Sequence, residues 1–348
     1  MILAGGQGTR LWPLAGAERP KPFLALGDGK SLFRQTYERV VPLVGRGRVL
    51  VVAGGAHARW IRLQAPDIPA RNVIFEEIGR NTAASVALAA LWIRSRAPDG
   101  IMVVLPSDHW VAPVASFRAT LSQAVRAALA ARKLVLVGVA AQSPETGLGY
   151  IVPGPTPTVQ GTSVVRRFIE KPPVTLARRL IRRDHVLWNS GIFVWRAAVF
   201  LEELRRLRPG ILSPLQEWAR SRRAANWRVP ATVLQRVPML PVDRAVLERT
   251  RNALVLAARF RWSDVGTWEA IGKLLARDRR GNSSIGRLLA VGSSGCLGIN
   301  PRGLTAFVGV RDVVAVRSGD LVLVCHTSAV QDVRRVVRRL SRGLRRYV

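Results

Sequence analysis

The chain has 348 residues, 48% of them hydrophobic and 22% charged, which describes a folded protein with a sizeable core and excludes a disordered or low-complexity chain. Its most apolar helical stretch, "AASVALAALWI" at 83–93, falls well short of the roughly 18 residues that a membrane span needs, and no basic region precedes an apolar one at the N-terminus, so neither a span nor a signal peptide is expected. The 54 Lys and Arg against 22 Asp and Glu leave a formal net charge of +32. That charge suits a polyanionic partner, but it is dispersed rather than blocked, and only residues 21, 30, 133, 171 and 273 are lysine. Arginine-rich usage of this kind also follows from codon bias, so no nucleic-acid partner is expected. Cys296 and Cys325 stand alone without a CxxC, which excludes a disulfide framework and a zinc site and places the chain in the reducing cytoplasm.

The chain opens with "ILAGGQGTRLWPL". A short apolar run meets glycines 5, 6 and 8, which allow positive φ and close approach of backbone to a ligand. Two readings stay open here, a structural tight turn and an anion cradle of exposed N–H groups. It is neither a Walker A loop nor a dinucleotide fingerprint, because no GK[ST] and no third glycine at the required spacing follow. Arg10, whose guanidinium can fork onto phosphate oxygens, and Lys21, stiffened between Pro20 and Pro22, favour the cradle: backbone donors with two cations suit a triphosphate.

Strands are predicted at 48–53, 72–75, 101–105, 134–139, 162–170 and 191–195. Helical spacing is predicted at 31–43, 81–96 and 115–131. Strands alternating with helices give an α/β fold, a Rossmann-like, mostly parallel sheet flanked by helices. Ligands bind at the carboxyl edge of such sheets. "VVLPSDHWV" puts Asp108 just beyond a buried strand, and "RWSDVGTWEAI" puts Asp264 before a glycine turn and a helix. Each aspartate alone reads as a cap or turn residue; together they could hold one Mg²⁺ against phosphates. "RFIEKPP" ends a strand with Glu170 and Lys171, and "LWNSGIFVW" places Asn189 before a glycine that opens a strand. Carboxylate and amide hydrogen-bond sugar hydroxyls, and a neighbouring lysine neutralises a sugar phosphate.

After "DRRGNSS" near 281 the pattern becomes short apolar runs between turns with no helix among them, which predicts a small β unit. A final helix carries Val330, Val333, Val336, Val337, Leu340 and Leu344 on one face and seven arginines between 334 and 346 on the other. It reads as a helix docked by its apolar stripe, with a membrane-surface or nucleic-acid helix as the alternative. The domains are expected at 1–282, the α/β unit, and at 283–348, a small β-rich domain ending in a helix.

The stretches "LAGGQGTRLWPL", "PKPFL", "GRNTAASVALAA", "LPSDH", "TGLGYI", "FIEKP", "WNSGIF" and "WSDVGTW" occur in order from residue 3 to residue 268. With them the sequence resembles the sugar-nucleotide pyrophosphorylases, and among these the bacterial mannose-1-phosphate guanylyltransferase family. The tail from Gly309 is similar to that family's small C-terminal β domain and closing helix. The resemblance implies transfer of a guanylyl group from GTP to α-mannose 1-phosphate with Mg²⁺ as cofactor. It implies Arg10 and Lys21 as catalytic, with Leu3, Ala4, Gly5, Gly6, Gly8, Thr9, Arg10, Asn81 and Thr82 at the nucleotide. Gly149, Glu170, Lys171 and Asn189 would hold the sugar phosphate, and Asp108 and Asp264 the metal. His109 reads as structural, since no covalent intermediate is needed. Glu77-Ile78 before Gly79 and Leu148 before Gly149 depart from the family pattern. The first strand is only Met-Ile-Leu-Ala, so either it is short or the start lies upstream. An ending at Val348 implies a monofunctional chain without the isomerase domain of the long members. Another sugar 1-phosphate (glucose or heptose), another NTP, and a catalytically silent basic binding protein are the alternatives, and a homodimer stays open.

Overall fold

A computed structural model of the chain describes all residues except Gln7, Ala17, Gly27, Asp28, Arg183, Asp184, 222–226, Arg345, Arg346 and Val348. The chain forms two compact units. One comprises Met1–Ala4, Thr36–Ser107 and Val111–Trp262; the other comprises Gly5–Gln35, Asp108–Trp110 and Ser263–Val348.

The first unit is built on a ten-stranded sheet. Its strands are β1 (Ile2–Ala4), β2 (Val51–Gly54), β3 (Val73–Glu76), β4 (Ile101–Pro106), β5 (Leu134–Ala140), β6 (Tyr150–Pro157), β7 (Ser163–Ile169), β8 (Leu187–Arg196), β9 (Arg228–Val229) and β10 (Ala253–Ala257). They lie in the order β9-β3-β2-β1-β4-β8-β5-β10-β7-β6. The β9-β3-β2-β1-β4 half is parallel throughout. Beyond it the sheet is mixed: β10 runs parallel to β5, while β8 is antiparallel to β4 and β5, and β6 is antiparallel to β7. The connection from β6 to β7 is too short for the helical crossover that a parallel pair requires, so those strands pair as a hairpin. The first five residues of β5, "LVLVG", are all buried, as a central strand covered on both faces demands.

Helices α1 (Leu32–Val44), α2 (Thr82–Arg94) and α3 (Val114–Ala131) fall on the three predicted helical stretches, whereas α4 (Ala197–Leu207) and α5 (Pro209–Ser221) follow one another after β8 with no strand between them. Residues 83–92 of α2 are all buried, which is why this helix can be apolar on every side. Trp195 on β8 is fully buried, stacked between Phe193 and Phe200 at centroid distances of 5.3 and 5.0 Å. Such stacked rings anchor a core beyond their area alone.

The second unit contains β11 (Ser283–Val291), β12 (Leu297–Val308), β13 (Val313–Ser318) and β14 (Leu321–His326), ordered β11-β12-β13-β14 with the last pair antiparallel. It also contains α6 (Trp268–Leu274) and α7 (Val333–Gly343). One core joins Leu297, Ile299, Val314 and Val316 of these strands to Leu11, Trp12, Leu24 and Leu32 from the start of the chain, and to Val330, Val333 and Val337. The closing helix therefore docks by its apolar stripe, although Val336 and Leu344 remain exposed. Arg345 and Arg346 of its predicted basic face lie outside the described residues.

Candidate active site

In the second unit the glycine loop leads into a single 3₁₀ turn, Thr9–Leu11, whose buried Leu11 and the following Trp12 are fixed in the core. The indole N–H of Trp12 donates to the Tyr347 carbonyl at 2.7 Å. Gly6 has φ +95° and Gly8 φ +69°. A Cβ at position 8 would sit 2.4 Å from Lys21 Cβ, so both conformation and space demand glycine there. The loop and Lys21 thus lie against each other. Arg10 is half-buried, and burial together with Arg334 lowers its pKa, opposed by Asp264 and Asp108.

Lys21 opens a second 3₁₀ turn, Lys21–Phe23, anchored by Phe23 against Phe33. Its buried ammonium donates to Asp108 Oδ2 at 2.7 Å and to the carbonyl oxygen of Asp264 at 2.5 Å. Burial of the Asp108 carboxyl works against ionisation, but the Lys21 and His109 charges, together with hydrogen bonds from Lys21 and the backbone, hold the group below its ordinary range. His109 Nε2 lies 3.8 Å from the other Asp108 oxygen, which places that ring as a neighbour of the carboxylate. Gly266 completes the cluster: a Cβ there would lie 2.5 Å from Asp264 Oδ2 and 3.1 Å from an Arg10 nitrogen. Three chain segments far apart in sequence, Gly5–Gln35, Asp108–Trp110 and the run from Ser263, therefore bring Arg10, Lys21, Asp108 and Asp264 together. Among the described residues no set of three His, Cys, Asp or Glu side chains forms a metal cage. Asp108 Oδ2 is paired with Lys21, and Asp264 Oδ1 accepts from Gly266 N at 3.2 Å; two carboxylates are nonetheless the donor set that Mg²⁺ takes when phosphates and water complete its shell, so these residues fit that ion.

The first unit holds the remaining candidates. Leu3 and Ala4 end β1, where the Ala4 carbonyl accepts from the buried His57 ring at 2.7 Å. Asn81 caps α2, its side-chain oxygen accepting from Thr82 N at 2.9 Å with its own φ at +67°. The Thr82 hydroxyl accepts from Val242 N at 2.9 Å.

Gly149, Glu170, Lys171 and Asn189 come together. Asn189 N donates to the Gly149 carbonyl at 2.8 Å, and a Cβ on Gly149 would meet Glu170 Oε2 at 2.8 Å. The Lys171 ammonium pairs with Glu170 Oε1. Asn189 is presented by a register shift: Val137 pairs with Ile192 but Gly138 pairs with Asn189. Ser190 and Gly191 make the irregularity, with Ser190 Oγ donating to the Val137 carbonyl at 2.5 Å and Gly191 at φ +71°. Irregularities of this kind re-aim a side chain.

Two residues beside this group escape a reading of the sequence. Asp243 Oδ1 accepts from the Asn189 amide nitrogen at 2.7 Å, and Glu248 Oε1 accepts from Glu170 N at 2.8 Å. Burial, then the Glu170 charge, pushes the Asp243 carboxyl up to about 6. Nothing in "VDRAVLE" marks them, because an aspartate and a glutamate five apart match no regular helical or strand period.

A protein-family description, Nucleotidyl transferase, matches residues 1–280. The chain belongs to the nucleotidyl transferase family. A second description, the MannoseP isomerase/GMP-like beta-helix domain, matches residues 286–340. This family member is 36% identical to the xanthan biosynthesis protein XanB of Xanthomonas campestris pv. campestris, over 98% of this chain and 73% of that protein. It is 35% identical to the mannose-1-phosphate guanylyltransferase of Escherichia coli K12, again over 98% of this chain and 73% of that protein. A crystal structure from Thermus thermophilus, described as a mannose-1-phosphate geranyltransferase, matches with a TM-score of 0.89 and 33% identity over 98% of both chains. Among the described residues no helix is long and apolar enough to cross a membrane.

Proposed function

We propose that the chain transfers the guanylyl group of GTP to α-D-mannose 1-phosphate, giving GDP-mannose and pyrophosphate. One observation carries this reading: the Lys21 ammonium is seated between the Asp108 carboxylate and the Asp264 carbonyl, beside Arg10, in a nucleotidyl transferase whose relatives include a mannose-1-phosphate guanylyltransferase. Catalysis is assigned to residues 1–282, and residues 283–348 are assigned a supporting role.

An oxygen of the sugar phosphate attacks the α-phosphorus in line, and the bond to the bridging oxygen of the leaving pyrophosphate breaks. Two anions must be brought together, so the protein's task is positioning and charge neutralisation rather than covalent chemistry. Arg10 offers a fork to nonbridging oxygens, and Lys21 a point charge where negative charge grows on the leaving group. The glycine loop leaves room for phosphates against the backbone. Asn81 and Thr82 are assigned to the nucleotide. Gly149, Glu170 and Asn189 are assigned to the hexose, with Lys171 on its phosphate. A divalent ion, Mg²⁺, held by Asp108 and Asp264 would supply Lewis-acid charge to the phosphate oxygens. The pairing of Lys21 with Asp108 keeps that carboxylate ionised for the ion. Cys296 and Cys325 are both free, which suits the proposed cytoplasmic location.

The assignment of the ion is tested by titrating Mg²⁺ against activity in Asp108→Asn and Asp264→Asn and in the double variant. Each substitution keeps shape and removes charge. Each single variant is expected to lose activity and to require more Mg²⁺, with the double variant little worse, because residues that act as a unit are non-additive. Full activity with an ordinary Mg²⁺ requirement in either single variant would remove that residue from the site.

A further inference from the structure

Residues 240–248 sit where three of the assigned stretches meet within the first unit. Asp243–Leu247 is a π-helical turn, closed by Glu248 N donating to the Asp243 carbonyl at 2.8 Å. Turns closed at i+5 are rare and concentrate at functional sites. The wide closure joins the backbones of Asp243 and Glu248, and each carboxylate takes a different partner: Asp243 the Asn189 amide and Glu248 the backbone N–H of Glu170. The run is tied to the start of α2 as well, through Val242 N to the Thr82 hydroxyl at 2.9 Å and Ala83 N to the Leu240 carbonyl at 3.2 Å.

Both partners need holding. Lys171 has φ +48° and precedes Pro172; a side-chain-bearing residue persists in that region only where its surroundings over-determine it. Glu248 grips the residue immediately before it. Asn189 carries an amide that could turn either way. Gly191 N donates to its oxygen at 3.1 Å and Asp243 accepts from its nitrogen, so the orientation is fixed from both ends. An amide nitrogen carries two hydrogens, and Asp243 takes one.

We propose that this π-turn is the positioning element of the sugar-phosphate site, with Asp243 fixing the Asn189 amide and Glu248 fixing the Glu170–Lys171 turn, so that both residues set affinity for the sugar phosphate. The inference rests on the reading that Glu170, Lys171 and Asn189 hold mannose 1-phosphate. Neither positioning residue is required to touch the reacting phosphorus. Their effect is therefore on the KM of one substrate and not on that of the other.

The test is steady-state kinetics on the full chain, varying mannose 1-phosphate and GTP separately, with unfolding followed by circular dichroism. Lys171→Ala, Glu248→Ala, Glu248→Gln, Glu248→Asp and Asp243→Ala are compared. In Glu248→Ala and Asp243→Ala the KM for mannose 1-phosphate is expected to rise about tenfold or more while that for GTP stays within about twofold, as misplacement of binding groups by a fraction of an ångström implies. Glu248→Gln keeps an acceptor oxygen and should recover most of the loss. Glu248→Asp keeps the charge but withdraws it by one methylene, and should show the same selective rise with the least disturbance to folding, which carries the test if an alanine variant fails to fold. Equal changes in both KM values, or no recovery in Glu248→Gln, would overturn the positioning role. Should Lys171→Ala raise the KM for mannose 1-phosphate while the Glu248 and Asp243 variants do not, the positioning role falls and the site assignment stands. Should Lys171→Ala leave that KM unchanged, the site assignment falls and the positioning role with it.

Discussion

Lys21 performs two tasks with one ammonium, holding Asp108 ionised and standing beside the Arg10 loop. Lys21→Ala should lower turnover roughly 100- to 1,000-fold, since one electrostatic donor at a reacting centre is worth about 2.7–4 kcal/mol. Lys21→Arg should not restore it, because a planar fork cannot occupy the place of a compact point charge. Turnover near that of the parent in the alanine variant would refute the assignment. Glu76 gives a prediction about stability. It is buried on β3, and burial pushes its carboxyl up to about 7 from the ordinary 4.5, although Ser85 Oγ donates to both its oxygens at 3.0 and 2.9 Å. The folded state therefore keeps this proton to higher pH than the unfolded chain does. Its contribution to stability is fully present below the ordinary value and is lost as pH rises through about 7. Glu76→Gln, measured by urea unfolding across pH, should flatten that fall and exceed the parent above neutrality by up to about 3 kcal/mol. A parallel pH dependence in parent and variant would contradict burial of Glu76 as its cause.

At the scale of elements, the closing helix α7 and the glycine loop share one core, in which Val337 lies with Leu11 and Trp12. Val337→Asp buries an unpaired charge, and should destabilise the second unit by about 3 kcal/mol or more. Turnover should fall with it, because the same core seats the turn that carries Arg10; a fully active, normally stable variant would show that the core does not support the loop. Much of this level was legible in the sequence. The run "LVLVGV" reads directly as a strand, residues 81–96 as a helix, and the docking of α7 follows from its valine stripe. Less legible were features that depend on distant segments. The antiparallel part of the main sheet follows from strand partners that periodicity does not name. The presentation of Asn189 depends on a two-residue register irregularity opposite Gly138. Asp243 and Glu248 become neighbours only through an i+5 closure, which has no sequence period. The candidate site residues themselves were visible as glycine, lysine and carboxylate at strand ends, but that Lys21 bridges Asp108 and the Asp264 backbone could not be read from spacing.

For the whole molecule, the net charge of +32 invites a polyanion reading. The arginines are spread through the chain, so any DNA binding should be weak and fall steeply with salt; sequence-preferring binding at physiological salt would contradict this. The groups of the second unit that are proposed to meet phosphates would not distinguish one base or one sugar from another, so the proposed function is most exposed at substrate choice. The most direct measurement is a pyrophosphate-release screen of the purified chain with Mg²⁺, pairing each of the four common nucleoside triphosphates and dTTP with a panel of sugar 1-phosphates that includes mannose, glucose and heptose phosphates. GTP with mannose 1-phosphate should be the preferred pair by kcat/KM. A preference of about tenfold, or roughly 1.4 kcal/mol, for UTP or dTTP with glucose 1-phosphate would contradict the proposed reaction.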